Sequence, residues 1–362
     1  MRWNSLNLLN EKAKNLPSTP GVYLMKDSHG SIIYVGKSKN LKSRVQSYFY
    51  HSKAHSRKVE KLVKTLKDFD YIETDTEFEA FMLECHLIKE IKPYFNKLMK
   101  NPLSYAYIVI KLDEEIPKIE VSHFINKSNG SQYFGPFTSK STAEKAIEGL
   151  KDCYKINCTR HTIKKSPCLN FTLGLCIGMC QGGAELAQYH SIMDKFIALL
   201  SGTDISLLEE MKEKMLTASE HFDFETAAKF RNSIKYIETL IHKERMIKFT
   251  EKNHNIVMLE PIGEGYLKIF YMKRNKILFS EIYADKDVNR ESRAAAISAN
   301  ILKYFTLSPS PTADLTRDEI DEAQIIYHYL KSSQCRYIII SETWLESKVL
   351  LKNEIRKFVS PI

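Results

Sequence analysis

Hydrophobic residues along the first hundred positions recur with two different periods. Short apolar runs with polar flanks are typical of β-strands, and an apolar stripe every three to four residues is typical of an α-helix. A polar loop that ends in Gly30 separates the first two runs, which predicts a hairpin. The pattern predicts three strands at residues 22–25, 32–35 and 69–73, and three helices at residues 41–49, 53–67 and 77–91. These elements indicate a compact α/β domain over residues 1–100.

The rest of the chain has the same two periods in a different arrangement. Residues 101–190 are predicted to contain two strands, one helix, a turn-rich stretch at residues 133–138 and a cysteine segment with little periodicity. Residues 191–245 are predicted to form a helical hairpin, and Asp223 stands where it can cap the second helix. Residues 246–362 return to alternating strands and helices, which indicates a C-terminal α/β domain. The predicted fold class is therefore a mixed α/β chain of several domains.

Positive charge is concentrated near the N-terminus. The formal net charge of the 362 residues is +9, and between Lys37 and Lys67 there are ten basic residues and one acid, Glu60. Such a stripe is either a solvated face or a surface that contacts a phosphate backbone. No stretch is apolar for long enough to span a membrane, and the first residues lack the apolar run of a signal peptide. We therefore expect a cytoplasmic protein with no membrane partner.

Glu84 has an unusual position for an acidic residue. In the helix predicted from Glu77 to Ile91 it shares an apolar stripe with Phe81 and Ile88. A carboxylate on such a stripe is unfavourable unless it is paired or binds a metal ion. Two interpretations follow: a boundary glutamate whose tip reaches solvent, or a ligand of one Mg²⁺ or Mn²⁺ ion, since both ions prefer oxygen donors.

Basic and phenolic side chains follow the predicted hairpin. Arg44 and Tyr48 are four residues apart on one helix, so they project from one face, and Lys37 lies just before that helix. Arginine can hold a phosphate through two hydrogen bonds, and a tyrosine hydroxyl beside cations can take a proton from water. The group suits phosphodiester chemistry, although a charged surface without DNA explains this stretch equally well.

Two tyrosine-containing triplets carry a family resemblance. GVY at residues 21–23 and YVG at residues 34–36 resemble the signature of GIY-YIG nucleases. The stretches IYVGKSKNLKSRVQSYF and TEFEAFMLECHLIKEIKPYFN resemble the N-terminal domain of the bacterial UvrC excinuclease family, which includes the short protein Cho. The resemblance implies a nuclease site made of Tyr23, Tyr34, Lys37, Arg44, Tyr48, Glu84 and Asn96.

The resemblance also implies a role for each residue of that site. Tyr34 or a metal-bound water is the general base, and Lys37 and Tyr23 tune and orient it. Arg44 stabilises the phosphate charge with help from Tyr48. One Mg²⁺ or Mn²⁺ ion is expected on Glu84, and Asn96 is expected to brace the site.

The cysteines form a second candidate site. Five of the seven lie between residues 153 and 180, a density that indicates metal ligation in a reducing compartment. The segment CTRHTIKKSPCLNFTLGLCIGMC resembles a UvrC segment associated with an iron–sulfur cluster. The resemblance implies a 4Fe-4S cluster, with Zn²⁺ or a metal-free segment as the alternatives. The implied ligands are Cys158, Cys168, Cys176 and Cys180.

The helical hairpin resembles the UVR motif of the same family. The family core FExAAxxRDxI corresponds here to FETAAKFRNSI, in which Asn232 replaces the usual aspartate. The resemblance implies that this hairpin docks on the matching hairpin of UvrB. The implied contact residues are Phe224, Glu225, Ala227, Ala228 and Arg231.

Taken together, the resemblances imply a metal-dependent endonuclease of nucleotide excision repair. It would make one incision, 3′ to a lesion, in damaged double-stranded DNA delivered by UvrB. Full-length family members continue into an RNase H-like nuclease domain and a helix-hairpin-helix tandem, and residues 246–362 are expected to hold a truncated part of the former. The alternatives are a non-catalytic adaptor that binds UvrB and DNA, a stand-alone structure-specific GIY-YIG nuclease, and an iron–sulfur redox sensor.

Overall fold

The structure of the protein, a computed structural model, describes most of the chain. The described residues are 2–50, 56–100, 105–126, 130–160, 162–164, 166–263, 265–284, 290–306, 316, 319–332 and 335–359. They form two compact units, one of Met1–Asn101 with Phe249–Ile362 and one of Pro102–Lys248. The C-terminal residues therefore share a unit with the N-terminal domain. In this described part of the chain, no helix has the length and hydrophobicity needed to cross a membrane.

The N-terminal domain is a three-stranded antiparallel sheet with helices packed on it. Its elements are α1 Arg2–Lys14, β1 Gly21–Lys26, β2 Ile32–Ser38, α2 Leu41–Gln46, α3 Arg57–Thr65, β3 Asp68–Glu73 and α4 Glu77–Ile91. The strands lie in the order β2–β1–β3, and the three predicted strands are confirmed. Helix α3 begins later than predicted because Ser56 caps it, and residues 53–55 of that prediction lie outside the described residues. Helix α1 was not predicted.

The first turn of α4 explains why the helix begins at Glu77. The Thr76 hydroxyl accepts a hydrogen bond from the N–H of Glu79 at 3.1 Å. Glu77 and Glu79 also place negative charge at the positive end of the helix dipole. The helix ends at Ile91, and Lys92, which caps it, has a left-handed φ of 51°. One side of α4 packs on the sheet in a small apolar cluster of Val22, Leu24, Val35, Ala80 and Ile88.

The second unit begins with another three-stranded antiparallel sheet. Its strands are β4 Ala106–Lys111, β5 Lys118–Ser122 and β6 Gln132–Phe137, in the order β5–β4–β6. The turn predicted at residues 133–138 was wrong, because most of that stretch belongs to β6. Pro136 is accommodated there because β6 is an edge strand, where one N–H group is not needed for the ladder.

Five helices complete the second unit. They are α5 Lys140–Cys153, α6 Leu169–Thr172, α7 Gly183–Ser201, α8 Ser206–Glu220 and α9 Phe224–Glu251, the last of which continues into the first unit. The predicted cap on α9 is confirmed, because the side chain of Asp223 accepts the N–H of Thr226 at 3.0 Å. Helices α5, α7 and α9 bury their apolar faces in one core with β4 and β6.

The C-terminal domain is a four-stranded antiparallel sheet covered on both faces. Its elements are β7 Asn255–Gly263, β8 Tyr266–Lys273, β9 Lys276–Ala284, α10 Arg290–Thr306, α11 Ile320–Lys331, β10 Arg336–Ile340, α12 Glu342–Glu346 and α13 Lys348–Phe358. The strand order is β10–β7–β8–β9. One face packs on α10 and α13, and the other packs on α11 and on α4 of the N-terminal domain. The predicted α/β character of this region is confirmed.

Candidate active site

Three tyrosines meet at one side of the N-terminal sheet. Tyr23 on β1 and Tyr48 after α2 are buried, and their hydroxyl oxygens lie 2.8 Å apart in a hydrogen bond. Tyr34 on β2 is half-buried, and its ring centroid lies 6.1 Å from that of Tyr23. Gly36 makes this packing possible, because a Cβ atom there would stand 2.3 Å from the Tyr23 hydroxyl oxygen.

Arg44 covers the two buried phenols. Its Nε donates to the Tyr23 hydroxyl and its Nη2 donates to the Tyr48 hydroxyl, each at 3.4 Å. The guanidinium also lies 5.2 Å from the centroid of the Tyr48 ring, within the range of a cation–π contact. Arg44 as a whole remains exposed. Its remaining donors can therefore reach an anion without breaking the packing beneath.

Glu84 stands at the boundary between two apolar faces of α4. Ile88 packs with the cluster that contacts β1 and β2, whereas Phe81 packs with residues of the C-terminal domain. Phe81 and Ile88, which the sequence placed on one stripe, therefore lie on two different faces of α4. The Glu84 carboxylate is near the line where these two faces meet. Glu84 Oε1 accepts the main-chain N–H of Lys37 at 3.0 Å. Among the described residues, no hydrogen bond to Oε2 is present, so this oxygen remains for a cation.

The Lys37 side chain is directed toward α4. Its ammonium nitrogen lies 2.6 Å from Glu77 Oε1 and 3.6 Å from the centroid of the Phe81 ring. Glu77 was not among the site residues expected from the sequence. A charged residue in the first turn of a helix is common, so its sequence position alone carried no signal. The pair holds the Lys37 side chain against α4, the helix that carries Glu84.

The titratable groups of the site act on one another. Burial raises the pKa of Tyr34 above its ordinary value, and the nearby Tyr48 and Glu84 raise it further against the opposing charge of Arg44. Burial also raises the pKa of Glu84, while the Lys37 N–H and the charges of Lys37 and Arg44 lower it. Burial is again the main reason that the pKa of Tyr23 is raised. These phenols keep their protons at neutral pH until more positive charge is brought beside them.

Asn96 ties the turn after α4 to β2. Its side-chain oxygen accepts the Val35 N–H at 3.0 Å, and its side-chain nitrogen donates to the Val35 carbonyl at 2.9 Å. Strand β2 is an edge strand, so these two groups have no neighbouring strand on that side. The buried amide therefore replaces a strand and fixes the backbone between Tyr34 and Gly36.

The donor set around Glu84 suits a hard divalent cation. Mg²⁺ commonly takes one or two carboxylates and keeps several water molecules for contact with a phosphate. Glu84 offers one carboxylate oxygen on a half-buried surface, with the phenol of Tyr34 nearby. The residues therefore fit one Mg²⁺ or Mn²⁺ ion better than a closed structural metal site.

The four cysteines meet in the second unit. The sulfur atoms of Cys158, Cys168 and Cys180 all lie within 4.8 Å of one another, and those of Cys158 and Cys168 are 3.8 Å apart. Cys176 is close enough to interact with Cys168, and its sulfur accepts the N–H of Gly178 at 3.3 Å. Such N–H donors stabilise thiolates, which is the form that binds a metal. Cys158, Cys168 and Cys180 fit a thiolate-ligated metal centre, and Cys176 lies beside this group of three.

The tip of the α8–α9 hairpin exposes two aromatic rings. Phe222 and Phe224 are 80% and 64% exposed, and their ring centroids lie 6.2 Å apart. Of the other expected contact residues, Glu225 and Arg231 are exposed and Ala227 and Ala228 are half-buried on α9. Phe222 was not expected from the sequence, although its place before a helix cap was a usable signal.

Three family models match successive parts of the chain. The UvrC-like GIY-YIG domain matches residues 19–97, the middle domain of the UvrC/Cho excinuclease matches residues 105–199, and the UvrB/uvrC motif matches residues 205–240. The UvrABC system protein C of Clostridioides difficile is 34% identical over 96% of this chain and 59% of its own length. The chain belongs to the UvrC family. Another relative, from Caldanaerobacter subterraneus, is 34% identical over 92% of the chain and 55% of its own length.

The chain thus spans less than two thirds of these UvrC relatives. A solved structure is also similar: the GIY-YIG N-terminal endonuclease domain of UvrC from Thermotoga maritima, bound to magnesium as its catalytic divalent cation. It is 34% identical, covers 25% of this chain and 97% of its own, and has a TM-score of 0.23. Within the matched ranges lie all seven candidate nuclease residues, the four cysteines and the expected hairpin contacts.

The double hydrogen bond of Asn96 gives a prediction that is independent of activity. We expect Asn96→Ala to destabilise the N-terminal domain by about 2 kcal/mol or more, because it leaves the Val35 N–H and carbonyl without partners. Faster hydrogen exchange at the Val35 amide would report the loss directly. Asn96→Asp should be intermediate, since it keeps the acceptor but loses the donor. Asn15→Ala, at an exposed position, is the matched control, and equal exchange in all four proteins would contradict the bracing role.

Proposed function

We propose that the protein is a metal-dependent DNA endonuclease of the UvrC type, which makes one incision in damaged double-stranded DNA held by UvrB. The observation that carries this proposal is the convergence of Arg44, Tyr34 and Glu84. Glu84 and Arg44 both act electrostatically on Tyr34, Arg44 is exposed, and the one hydrogen bond that Glu84 accepts among the described residues uses Oε1. The family resemblance adds that the incision lies 3′ to the lesion. Free cysteines and the lack of disulfides among the described residues support a place of action in the cytoplasm.

The proposed mechanism assigns one task to each group. The exposed donors of Arg44 bind a non-bridging oxygen of the phosphate and stabilise its growing negative charge. Tyr34 takes a proton from the attacking water in its deprotonated form, after its own proton has passed to solvent. Glu84 would hold a divalent ion, which would supply positive charge for the leaving oxygen and lower the pKa of nearby oxygens.

The remaining residues hold these groups in place. Tyr23 and Tyr48 accept the hydrogen bonds that orient the Arg44 guanidinium. Asn96 holds the strand that carries Tyr34. Lys37 binds Glu84 through its N–H and binds α4 through Glu77, so it positions the carboxylate.

Two lysines extend the proposed site toward flanking phosphates. The Lys58 ammonium lies 5.4 Å from the centroid of the Tyr34 ring, and Lys97 is near enough to lower the pKa of Lys58, after the larger effect of burial. Both side chains are exposed. Neither lysine was among the site residues expected from the sequence. Lysines beside the proposed base suit the backbone of a bound DNA strand, and their contribution would weaken as salt rises.

The nuclease proposal predicts a specific loss. We expect Glu84→Gln and Tyr34→Phe each to reduce nicking of a lesion-bearing duplex, with UvrB and Mg²⁺ present, by at least about a hundredfold. DNA binding should remain, because neither change removes a basic side chain. Glu90→Gln is the matched control, since Glu90 is an exposed carboxylate on the same helix. Wild-type nicking by both variants would refute the site, and a wild type that never cuts UvrB-bound DNA would favour a non-catalytic adaptor.

The hairpin tip is the proposed contact with UvrB. Exposed aromatic side chains carry a large share of the binding energy in many interfaces. We expect Phe222→Ala and Phe224→Ala each to weaken UvrB binding by at least about tenfold without lowering thermal stability, because both rings are solvent-exposed. Calorimetry or surface plasmon resonance measures the change. Val349→Ala, which removes an exposed apolar side chain elsewhere, is the control. Unchanged affinity in both phenylalanine variants would contradict this docking site.

We further propose that the four cysteines hold a metal centre, with the 4Fe-4S cluster as the identity implied by the family resemblance. The 3.8 Å between two of the sulfurs matches the spacing of about 3.8 Å around one tetrahedral zinc ion and is shorter than the spacing of thiolates around a 4Fe-4S core, so the geometry favours the zinc alternative. Anaerobic purification with iron, sulfide and zinc analysis separates these identities. We expect Cys158→Ser to lose the metal and Cys335→Ser, outside the group, to retain it. A wild-type protein without stoichiometric metal would refute the centre.

A further inference from the structure

Helix α4 is enclosed between the nuclease sheet and the sheet of the C-terminal domain. The side of α4 that faces away from β1 and β2 is apolar, and its Phe78 and Cys85 are fully buried. Phe78 lies 5.2 Å from the ring centroid of Phe270 and 5.0 Å from that of Tyr329. Both partners belong to the C-terminal domain. The N-terminal and C-terminal domains therefore share a core, and α4 is its common wall.

Ion pairs hold both ends of this helix to the C-terminal domain. Near the N-terminal end, the largely buried Lys268 of β8 pairs with Asp75 and lies 2.5 Å from Glu79. Near the C-terminal end, Lys89 lies 2.5 Å from Glu322 of α11. A buried ammonium group is unfavourable unless its carboxylate partners are well placed, so these pairs restrict movement of α4 along its own axis.

The same helix carries the carboxylates of the candidate site on another side. Glu77 binds the Lys37 ammonium, and Glu84 binds the Lys37 N–H. A shift of α4 along its axis moves Glu84 relative to β2, which carries Tyr34 and Lys37. Loss of residues that support a metal ligand typically weakens metal binding by about 10- to 100-fold. The contacts that fix α4 therefore bear on the geometry of the site.

We propose that the C-terminal domain sets the position of α4 and thereby the affinity of Glu84 for a divalent ion, with Lys268, Lys89 and Glu322 as positioning residues. This inference rests on the proposed function, because it assumes that Glu84 binds the ion. It gives the C-terminal domain a part in the nuclease reaction although none of its residues belongs to the candidate site. The effect passes through one rigid helix whose two sides contact the two domains.

The test uses the full chain and measures metal binding separately from cutting. Mn²⁺ binding is followed by electron paramagnetic resonance, and the part that disappears in Glu84→Gln is assigned to this site. We expect Lys268→Met and Glu322→Gln each to weaken that binding by about tenfold, the size typical for loss of residues that support a metal ligand. Because both residues act through position, nicking at saturating Mn²⁺ should approach the wild-type rate.

Controls separate positioning from loss of fold and from failure of the nuclease proposal. Lys303→Met, an exposed lysine on α10, should bind Mn²⁺ as the wild type does. If Lys268→Met does not fold, Mn²⁺ binding by the milder variant Glu322→Gln tests the proposal alone. Wild-type Mn²⁺ affinity in the folded variants would overturn the proposal, as would a wild type without Glu84-dependent binding. A wild type that binds Mn²⁺ at Glu84 but never nicks DNA would count against the nuclease function alone.

Discussion

The hydrogen bond from the Lys37 N–H to Glu84 is the contact on which the candidate site depends. It joins a helix to the edge strand of the sheet at the point where the sheet carries Tyr34. Asn96, in the turn that follows the same helix, hydrogen-bonds to the N–H and carbonyl of Val35 in that strand. The strand is thus fixed by side-chain contacts in place of a further strand. A loop in this position would hold the phenol and the carboxylate less precisely relative to each other.

Burial gives the phenols two opposite properties. It packs Tyr23 and Tyr48 into a fixed platform on which Arg44 rests. It also raises the pKa of Tyr23 and Tyr34, so both of these residues keep their protons. A protonated phenol donates hydrogen bonds but cannot act as a base. The proposed mechanism therefore needs added positive charge near Tyr34 before the proton can leave. A divalent ion held by Glu84 would bring that charge, and the strength of Tyr34 as a base would then depend on metal binding.

Much of the N-terminal domain could be predicted because its signals are local. The period of apolar residues predicts β1, β2, β3 and α4, and the helical phase of Glu84 by itself marks this residue as unusual. Long-range pairing was not accessible in the same way. Glu77 and Lys37 are far apart in sequence, and nothing in either neighbourhood indicates their contact. Strand β6 was missed because its Gly135 and Pro136 are typical of turns, and only its edge position explains them.

Helix α4 is buried on two sides, so the single apolar stripe predicted from the sequence does not describe it. A helix with one buried side needs only one stripe, whereas a helix that is apolar around most of its circumference is buried on several sides. Phe78, Cys85, Ala80 and Ile88 are all buried, but the first two contact the C-terminal domain and the last two contact the nuclease sheet. Sequence order hides this arrangement because the second unit lies between the two partners in the chain. A carboxylate at the seam of two such faces is held from both sides, so the C-terminal domain and the sheet together determine where Glu84 stands.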